Sequence, residues 1–468
     1  MYPVSLGRSK TVCAVFLFSA ATAIALPAQT FNTLVDLGTV NGEPQYMSLV
    51  QGTDGNLYGT STDYFGSIFK VTSAGALSTV YQFAGINGSA PSSGLTLGTD
   101  GNLYGTTETG GTNSGGTAYK VTPKGTEALL YSFGGNDPRY PSSGLVQAAN
   151  GSFYGSAYQG GSTACRLGCG AMFRVTSNGT FSWIHDFVLT DGEYPQGPLV
   201  QASNGLLYGT TTAGGANIDY GTVFQMTPTG TLTTLHSFDS TDGCNPQAGL
   251  VLATNGSIYG TTTDCGANGY GTVFRITPSG KFTSLHSFKA TDGAFPSGHL
   301  IQATDGNFYG TTYGGGTYSS QFPPYGYGTI FKITPAGTLT TLYNFADTND
   351  GAYPYGGLVQ GTNGLLYGTT WNGGSNGLGN GTVFSLDVGL GPFVKTLPTS
   401  GKVGSTVKIL GTDLTGSTGV TFNGVAATFK VVSPTLITTA VPVGATTGNV
   451  QVVTPAGTLS SNVVFRVP

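Results

Sequence analysis

Charge is scarce in this chain. Asp, Glu, Lys and Arg make up 8% of its 468 residues, against about 25% in an ordinary soluble protein. There is no basic run, so the phosphate-neutralising surface that nucleic acid demands is missing. Helical 3.6-residue stripes of useful length are missing too, which excludes a helical bundle or solenoid. The 77 glycines show no G-X-Y period, which excludes collagen. Aromatics at 11% exclude a disordered chain, which lacks the groups that build a core. Long apolar runs occur only near the start, where Val12–Ala25 is too short to cross a bilayer. Carboxylates suited to paired acid–base work are few. After residue 28 the glutamates are Glu43, Glu108, Glu127 and Glu193, and most aspartates recur in turns.

What is present begins with a targeting pattern. Arg8 and Lys10 precede the apolar run, and small residues follow it, with cleavage expected after Ala25 or Ala28. Residues 1–28 are expected to be a Sec-type signal peptide and stand outside the fold. Their removal leaves 15 basic against 21 acidic residues.

The stretch TDGNLYGT at 53–60 recurs unchanged at 99–106 and as TDGNFYGT at 304–311. Paler copies place a Tyr-Gly pair after a DG or NG turn at Tyr58, Tyr104, Tyr154, Tyr208, Tyr259, Tyr309 and Tyr367, spaced by 46, 50, 54, 51, 50 and 58 residues. That period lies in the propeller range. Residues 249–288 show the unit: GLVLAT, an NG turn, SIYGTTT, a loop with Cys265, GTVFRIT, a PSG turn and KFTSLHSF. Four short antiparallel strands of this kind make one propeller blade. One blade cannot bury both its faces, so blades must stack. The third-strand aromatics Phe69, Tyr119, Phe173, Phe224, Phe274, Phe331 and Phe384 mark an inter-blade core position. The Gly after each Tyr is expected to admit the neighbouring blade.

The last copy ends after its third strand, at 381–387. The segment FNTLVDLGTVNGEPQYMSLVQ (31–51) aligns with LTTLYNFADTNDGAYPYGGLVQ (339–360). Phe31–Leu37 is therefore expected to complete the last blade and remove the open edge. The fold class expected is all-β: a seven-bladed propeller over 31–390, then a β-sandwich over 393–468 with strands such as TVKILG, GVTFNG and NVQVVT.

The final segment resembles the IPT/TIG family through PTSGKVGSTVKILGTDL, VTFNGVAATF and GNVQVVTPAG. The resemblance implies an Ig-like spacer or binding module, usually without catalysis. The ring, through DGNLYGTT, GTVFKITPxG-like words and LYSF, resembles the Gloeo/Verruco (GloVer, choice-of-anchor) tandem-repeat proteins. That resemblance implies export and a cell-surface or extracellular life, with no established activity.

Strand direction alternates, so the tight DG/NG and PxG turns share one face and the variable loops share the other. Function concentrates on variable loops held by a rigid scaffold. The long-loop face carries Tyr140, Tyr194, Phe295 and Tyr353 before the Pro that opens a first strand. It carries Tyr158, Tyr313 and Trp371 four residues past the repeat Tyr, and an insertion adds Phe322, Tyr325 and Tyr327. Such rings can stack on sugar faces; the regular spacing of those before Pro equally suits a wedge between blades. Asp191, Asp242, Asp292 and Asp350, each before Gly, could gather around a calcium ion, but Asp-Gly is also an ordinary turn pair. Gln51, Gln147, Gln201, Gln302 and Gln360 on the innermost strands are expected to bond to neighbouring blades. His185, His236 and His286 read as structural, and His299 is the odd one near the channel mouth. Cys165, Cys169, Cys244 and Cys265 allow three pairings. A shared loop and a shared face favour 165–169 and 244–265, and the CxxxC spacing fits zinc poorly.

The function expected is that of an exported monomer whose long-loop face binds a polysaccharide or a surface protein, with no nucleic acid, cofactor or metal. The alternative is a propeller hydrolase or lyase acting on polysaccharide.

Overall fold

The structure is a computed structural model that describes residues 29–38, 48–62, 64–134, 138–217, 219–317, 326–374 and 380–468. The signal-peptide segment, Glu43, Phe322 and Tyr325 lie outside the described residues.

The repeated word has a local physical cause. In all seven copies the Asp or Asn of the DG/NG turn accepts a bond from the backbone N–H two residues on. The same side chain also meets the repeat tyrosine. Asp54, Asp100 and Asp305 accept from Tyr58, Tyr104 and Tyr309 at 2.8, 2.8 and 2.9 Å. Asn150, Asn204, Asn255 and Asn363 donate to Tyr154, Tyr208, Tyr259 and Tyr367 at 2.9, 2.9, 3.1 and 2.7 Å. A buried tyrosine hydroxyl needs such a partner. The turn glycine adopts a left-handed conformation, for example φ 81° at Gly55, which a two-residue hairpin turn requires.

Seven four-stranded antiparallel sheets follow in chain order. Sheets 1 to 6 span 50–82, 96–134, 146–186, 200–237, 251–287 and 301–344. Sheet 7 takes three strands from 359–387 and its outer strand from Thr30–Asp36. The N-terminal strand repeats the pattern of the other outer strands in detail. Phe31 stands opposite Leu386 as Phe181 does opposite Val175 and Phe282 opposite Ile276. Each outer strand carries a register shift beside the third-strand aromatic, as at Ile68/Phe69 and Ala118/Tyr119; the N-terminal strand carries it between Thr33 and Val35. The ring of Phe31 stacks on Tyr343 of sheet 6 at 4.0 Å, as Phe181 stacks on Tyr131 at 3.6 Å.

Successive sheets share an apolar cluster. One joins sheets 1 and 2 through Tyr58, Ile68, Leu103 and Tyr119, and the series continues to sheets 6 and 7. A seventh joins sheet 7 to sheet 1 through Tyr367, Val383, Leu37, Leu57 and Phe69. The glycine after the repeat tyrosine corrects the expectation. A Cβ on Gly59 would meet the ring of Phe69 at 2.5 Å and Leu49 at 2.9 Å, both in its own sheet. The same holds at Gly155, Gly209, Gly260, Gly310 and Gly368. The bare backbone therefore seats the aromatic of the adjacent strand rather than the next sheet.

Residues 393–468 form two four-stranded sheets around Val407, Ile409, Phe422, Ile437, Val452 and Phe465. This sandwich rests on the tight-turn face. Thr435 Oγ1 donates to Thr53 O at 3.1 Å, Lys408 Nζ to Thr99 O at 2.9 Å, and Thr412 bonds Thr362 at 2.8 Å. Lys395 donates to Gln360 O, and burial pushes its pKa down to about 8. The uniform face is thus partly covered.

The interface between sheets 1 and 2 carries polar groups within its apolar cluster. Tyr119 replaces the third-strand phenylalanine, and Glu127 replaces the apolar residue that begins the outer strand. Glu127 Oε2 accepts from Tyr81 at 3.4 Å, while Tyr119 Oη and Glu127 Oε1 are buried without a partner. Burial raises the Glu127 pKa above 4.5, more than the Tyr81 bond lowers it.

Phe31→Ala should cost about 3 kcal/mol in denaturant unfolding, the low end for a phenylalanine because the ring is half-buried. Glu127 binds its proton more tightly in the folded state. Its ionisation therefore weakens the fold above the ordinary carboxylate range and costs nothing below it. Glu127→Gln should raise the melting temperature at neutral pH, and the gain should vanish at pH values well below 4.5.

Candidate functional site

The first strands of the seven sheets begin around a common cavity of about 480 Å³. Every sheet contributes to it, from Ser48–Val50 in sheet 1 to Tyr355–Gly357 in sheet 7. The entry ends of these strands follow the loops of the variable face, so the cavity belongs to that face. Its wall is built from residues just after the opening prolines: Ser92, Ser142, Gln196, Gln247, Ser297 and Tyr355. Deeper, glycines at 94, 144, 249 and 357 bring the strands close, with Ser48 and His299 at the equivalent positions in sheets 1 and 6.

His299 crosses this floor. Its Nδ1 lies 3.1 Å from Ser48 Oγ, and that oxygen accepts from Gly357 N at 2.9 Å. The imidazole packs against Gly357, where a Cβ would sit 2.5 Å from the ring. With Gly357 N–H donating to it, Ser48 has its own proton to offer Nδ1. Burial lowers the His299 pKa to about 4, so the ring is neutral near pH 7. The three residues clip sheets 6, 7 and 1 together.

Below them the glutamines span sheet to sheet. Gln51 Oε1 accepts from Thr362 N at 3.1 Å, Gln147 from Thr99 at 2.8 Å, Gln201 from Ala149 at 2.7 Å, Gln302 from Thr254 at 2.8 Å and Gln360 from Thr304 at 3.1 Å. Each reaches the preceding sheet, and Gln51 links the first to the last.

The aromatics gather at the rim. Tyr140, Tyr194, Phe295 and Tyr353 hold positive φ of 56–60°, an uncommon conformation for such side chains. Each backbone is fixed by a strand-like bond, as Trp371 N to Tyr353 O at 3.0 Å. Two clusters result. Tyr158 of sheet 3 stacks on Tyr194 of sheet 4 at 4.6 Å. Tyr313 of sheet 6 stacks on Tyr353 of sheet 7 at 5.0 Å, with Trp371 at 6.3 Å and Tyr355 at 5.5 Å from Tyr313. Tyr327 lies 6.0 Å from Tyr353, and Phe295 6.0 Å from Tyr270. The rings both wedge between sheets and form a surface. Tyr140 carries Arg139 over its face at 5.3 Å. Tyr194 is pushed up to about 12 by burial and by Glu193.

The sequence reading missed Ser48, Gln196, Gln247 and Tyr355. Tyr355 joins the second cluster to the cavity, donating to Gln247 Oε1 of sheet 5 at 3.2 Å. The signal was there, since one residue after each opening proline faces inward, but single residues at that place vary.

The aspartates of the long loops are engaged within their turns. Asp191, Asp242 and Asp292 bond His185, His236 and His286 at 3.2, 2.8 and 3.2 Å and accept a backbone N–H. Asp350 accepts from Tyr343 at 3.0 Å. The three histidines are thus structural. Cys165 pairs with Cys169, and Cys244 with Cys265. The second bridge ties the turn before sheet 5 to the loop after its second strand.

The Gloeobacter/Verrucomicrobia repeat model matches residues 20–167, 163–384 and 251–429. The chain belongs to this repeat family. An IPT/TIG domain matches residues 393–467, the span of the sandwich. Among solved structures, this repeat protein is similar to a gluconolactonase from Xanthomonas campestris, with 14% identity over 69% of this chain and 93% of that one at a TM-score of 0.41. It is similar to a protein of unknown function from Bacteroides thetaiotaomicron, with 13% identity over 77% and 76% at a TM-score of 0.42. No curated protein matches the chain.

Removing the second bridge should be costly, because it closes a segment with a sequence separation of 21. Cys244→Ser with Cys265→Ser should lower unfolding stability by about 3 kcal/mol, and peptide mapping without reductant should recover both pairs in the wild type.

Proposed function

We propose that this repeat protein is an exported, monomeric seven-bladed β-propeller over 31–390, closed by its N-terminal strand and followed by an Ig-like IPT/TIG domain over 393–468. Residues 1–28 direct it through Sec to a secreted or cell-surface location, and its long-loop face binds polysaccharide. The two bridges suit an oxidising compartment.

The observation that carries the binding reading is the Tyr313–Tyr353–Tyr355–Trp371 cluster at the lip of a polar cavity. Flat rings offer area to a sugar face, while the cavity amides and hydroxyls can meet its hydroxyl groups. A surface protein as ligand has no comparable support, because the stacked rings stand beside a polar cavity of the size of a small ligand site. The alternative of a glycan-cleaving enzyme has less behind it. Glu108 is the one carboxylate among the described lining residues, and glycoside hydrolysis generally takes two. The Ser48–His299 contact resembles a nucleophile–base pair, yet a ring with a pKa of about 4 accepts a proton poorly near neutral pH.

The chain has two tryptophans, and one of them is Trp371. Binding of soluble polysaccharide should therefore change its intrinsic fluorescence. Trp371→Ala should weaken binding about tenfold or more, as for an interface anchor, and Tyr313→Ala should weaken it as well. Turnover of a glycan without measurable binding at this face would overturn the reading.

A further inference from the structure

The rim is not seven-fold in its chemistry. Four residues past the repeat tyrosine stand Thr62, Glu108, Tyr158, Thr212, Thr263, Tyr313 and Trp371. Aromatic rings occupy this place only in sheets 3, 6 and 7. In sheets 3 and 6 the ring meets the pre-proline tyrosine of the following sheet in the same way, at 4.6 Å and 20° for Tyr158–Tyr194 and at 5.0 Å and 26° for Tyr313–Tyr353. One two-ring unit has thus been built twice, three sheets apart. In a seven-fold ring that is about 150°, so the two stacks face each other across the cavity mouth. On the shorter arc between them the rim positions are Thr212, Asn245 and Thr263, small and polar, followed by Phe295 next to the second stack.

We propose that the ligand is an extended, uncharged glycan chain laid across the mouth, held at both stacks by its interior sugars rather than inserted by one end. This rests on the polysaccharide reading above. Two separated stacks with a polar floor between them suit a chain longer than either stack alone can hold. Linking two weak contacts through one ligand multiplies affinity without any new contact. The local charge supports an uncharged chain. Glu108 and Glu193 both act on the Tyr158 hydroxyl, and Arg166 acts on Tyr194 from the other side. Two carboxylates against one guanidinium beside the Tyr158–Tyr194 stack leave a negative surplus, which opposes an anionic polymer.

The test is calorimetric titration of the full chain with size ladders of cello-, laminari- and manno-oligosaccharides, with alginate as the anionic control. Affinity should rise with length and level off once the chain reaches both stacks. Tyr158→Ala should weaken long chains about tenfold and leave short ones unchanged, while Tyr158→Phe should keep the wild-type length dependence. Trp371→Ala should weaken both. Glycan binding that ignores length and Tyr158 would overturn this inference and leave the single-cluster reading standing. Tighter binding of alginate would overturn the uncharged-chain assignment. No binding to any ladder would overturn both readings together.

Discussion

A four-stranded sheet of this size has two apolar faces and nothing of its own to cover them. Every other feature answers that constraint. The repeat tyrosine of one sheet meets the third-strand aromatic and the first-strand leucine of the next in one cluster after another, and Leu37, Tyr367 and Val383 bring sheet 7 against sheet 1. The burial is large and non-directional, so it sets the stacking but not the sidedness. Directional bonds supply the rest. Turn Asp or Asn fixes the tyrosine, glutamine ties five of the seven inner strands to the preceding turn, and His299 clips three sheets at the cavity floor.

Much of this was legible in the sequence because repetition averages out the noise of any single segment. The seven DG/NG–Tyr words gave the sheet count, and the alignment of 31–51 with 339–360 located the missing outer strand. The cysteine pairs followed from loop sharing. The three strand histidines read as structural from their periodicity, and the structure adds their partners, the aspartates of the Asp-Gly turns.

What escaped the sequence has a common cause. The glycine after the tyrosine is uniform, so its pattern signals a close approach without saying to what; only the register shows Phe69 lying over Gly59. Tyr355, Gln196, Gln247 and Ser48 sit at positions that vary from copy to copy, and variation hides a ring that only the fold assembles. The sandwich on the tight-turn face was invisible for a different reason. Lys395, Lys408 and Thr435 reach backbone carbonyls, and a carbonyl acceptor leaves no side-chain signature. The face that seemed plain therefore carries a domain, and the exposed chemistry is concentrated on the other.

The pairing of the N-terminal strand with the third strand of sheet 7 is the contact on which the cavity and its rim depend. It can be tested by a single cross-link. Asn32 stands opposite Ser385 in the strand pair, so Asn32→Cys with Ser385→Cys should form an intramolecular disulfide in nearly every molecule, on a protein that stays folded and monomeric. A folded protein that leaves both thiols free, or links them only between molecules, would contradict the account.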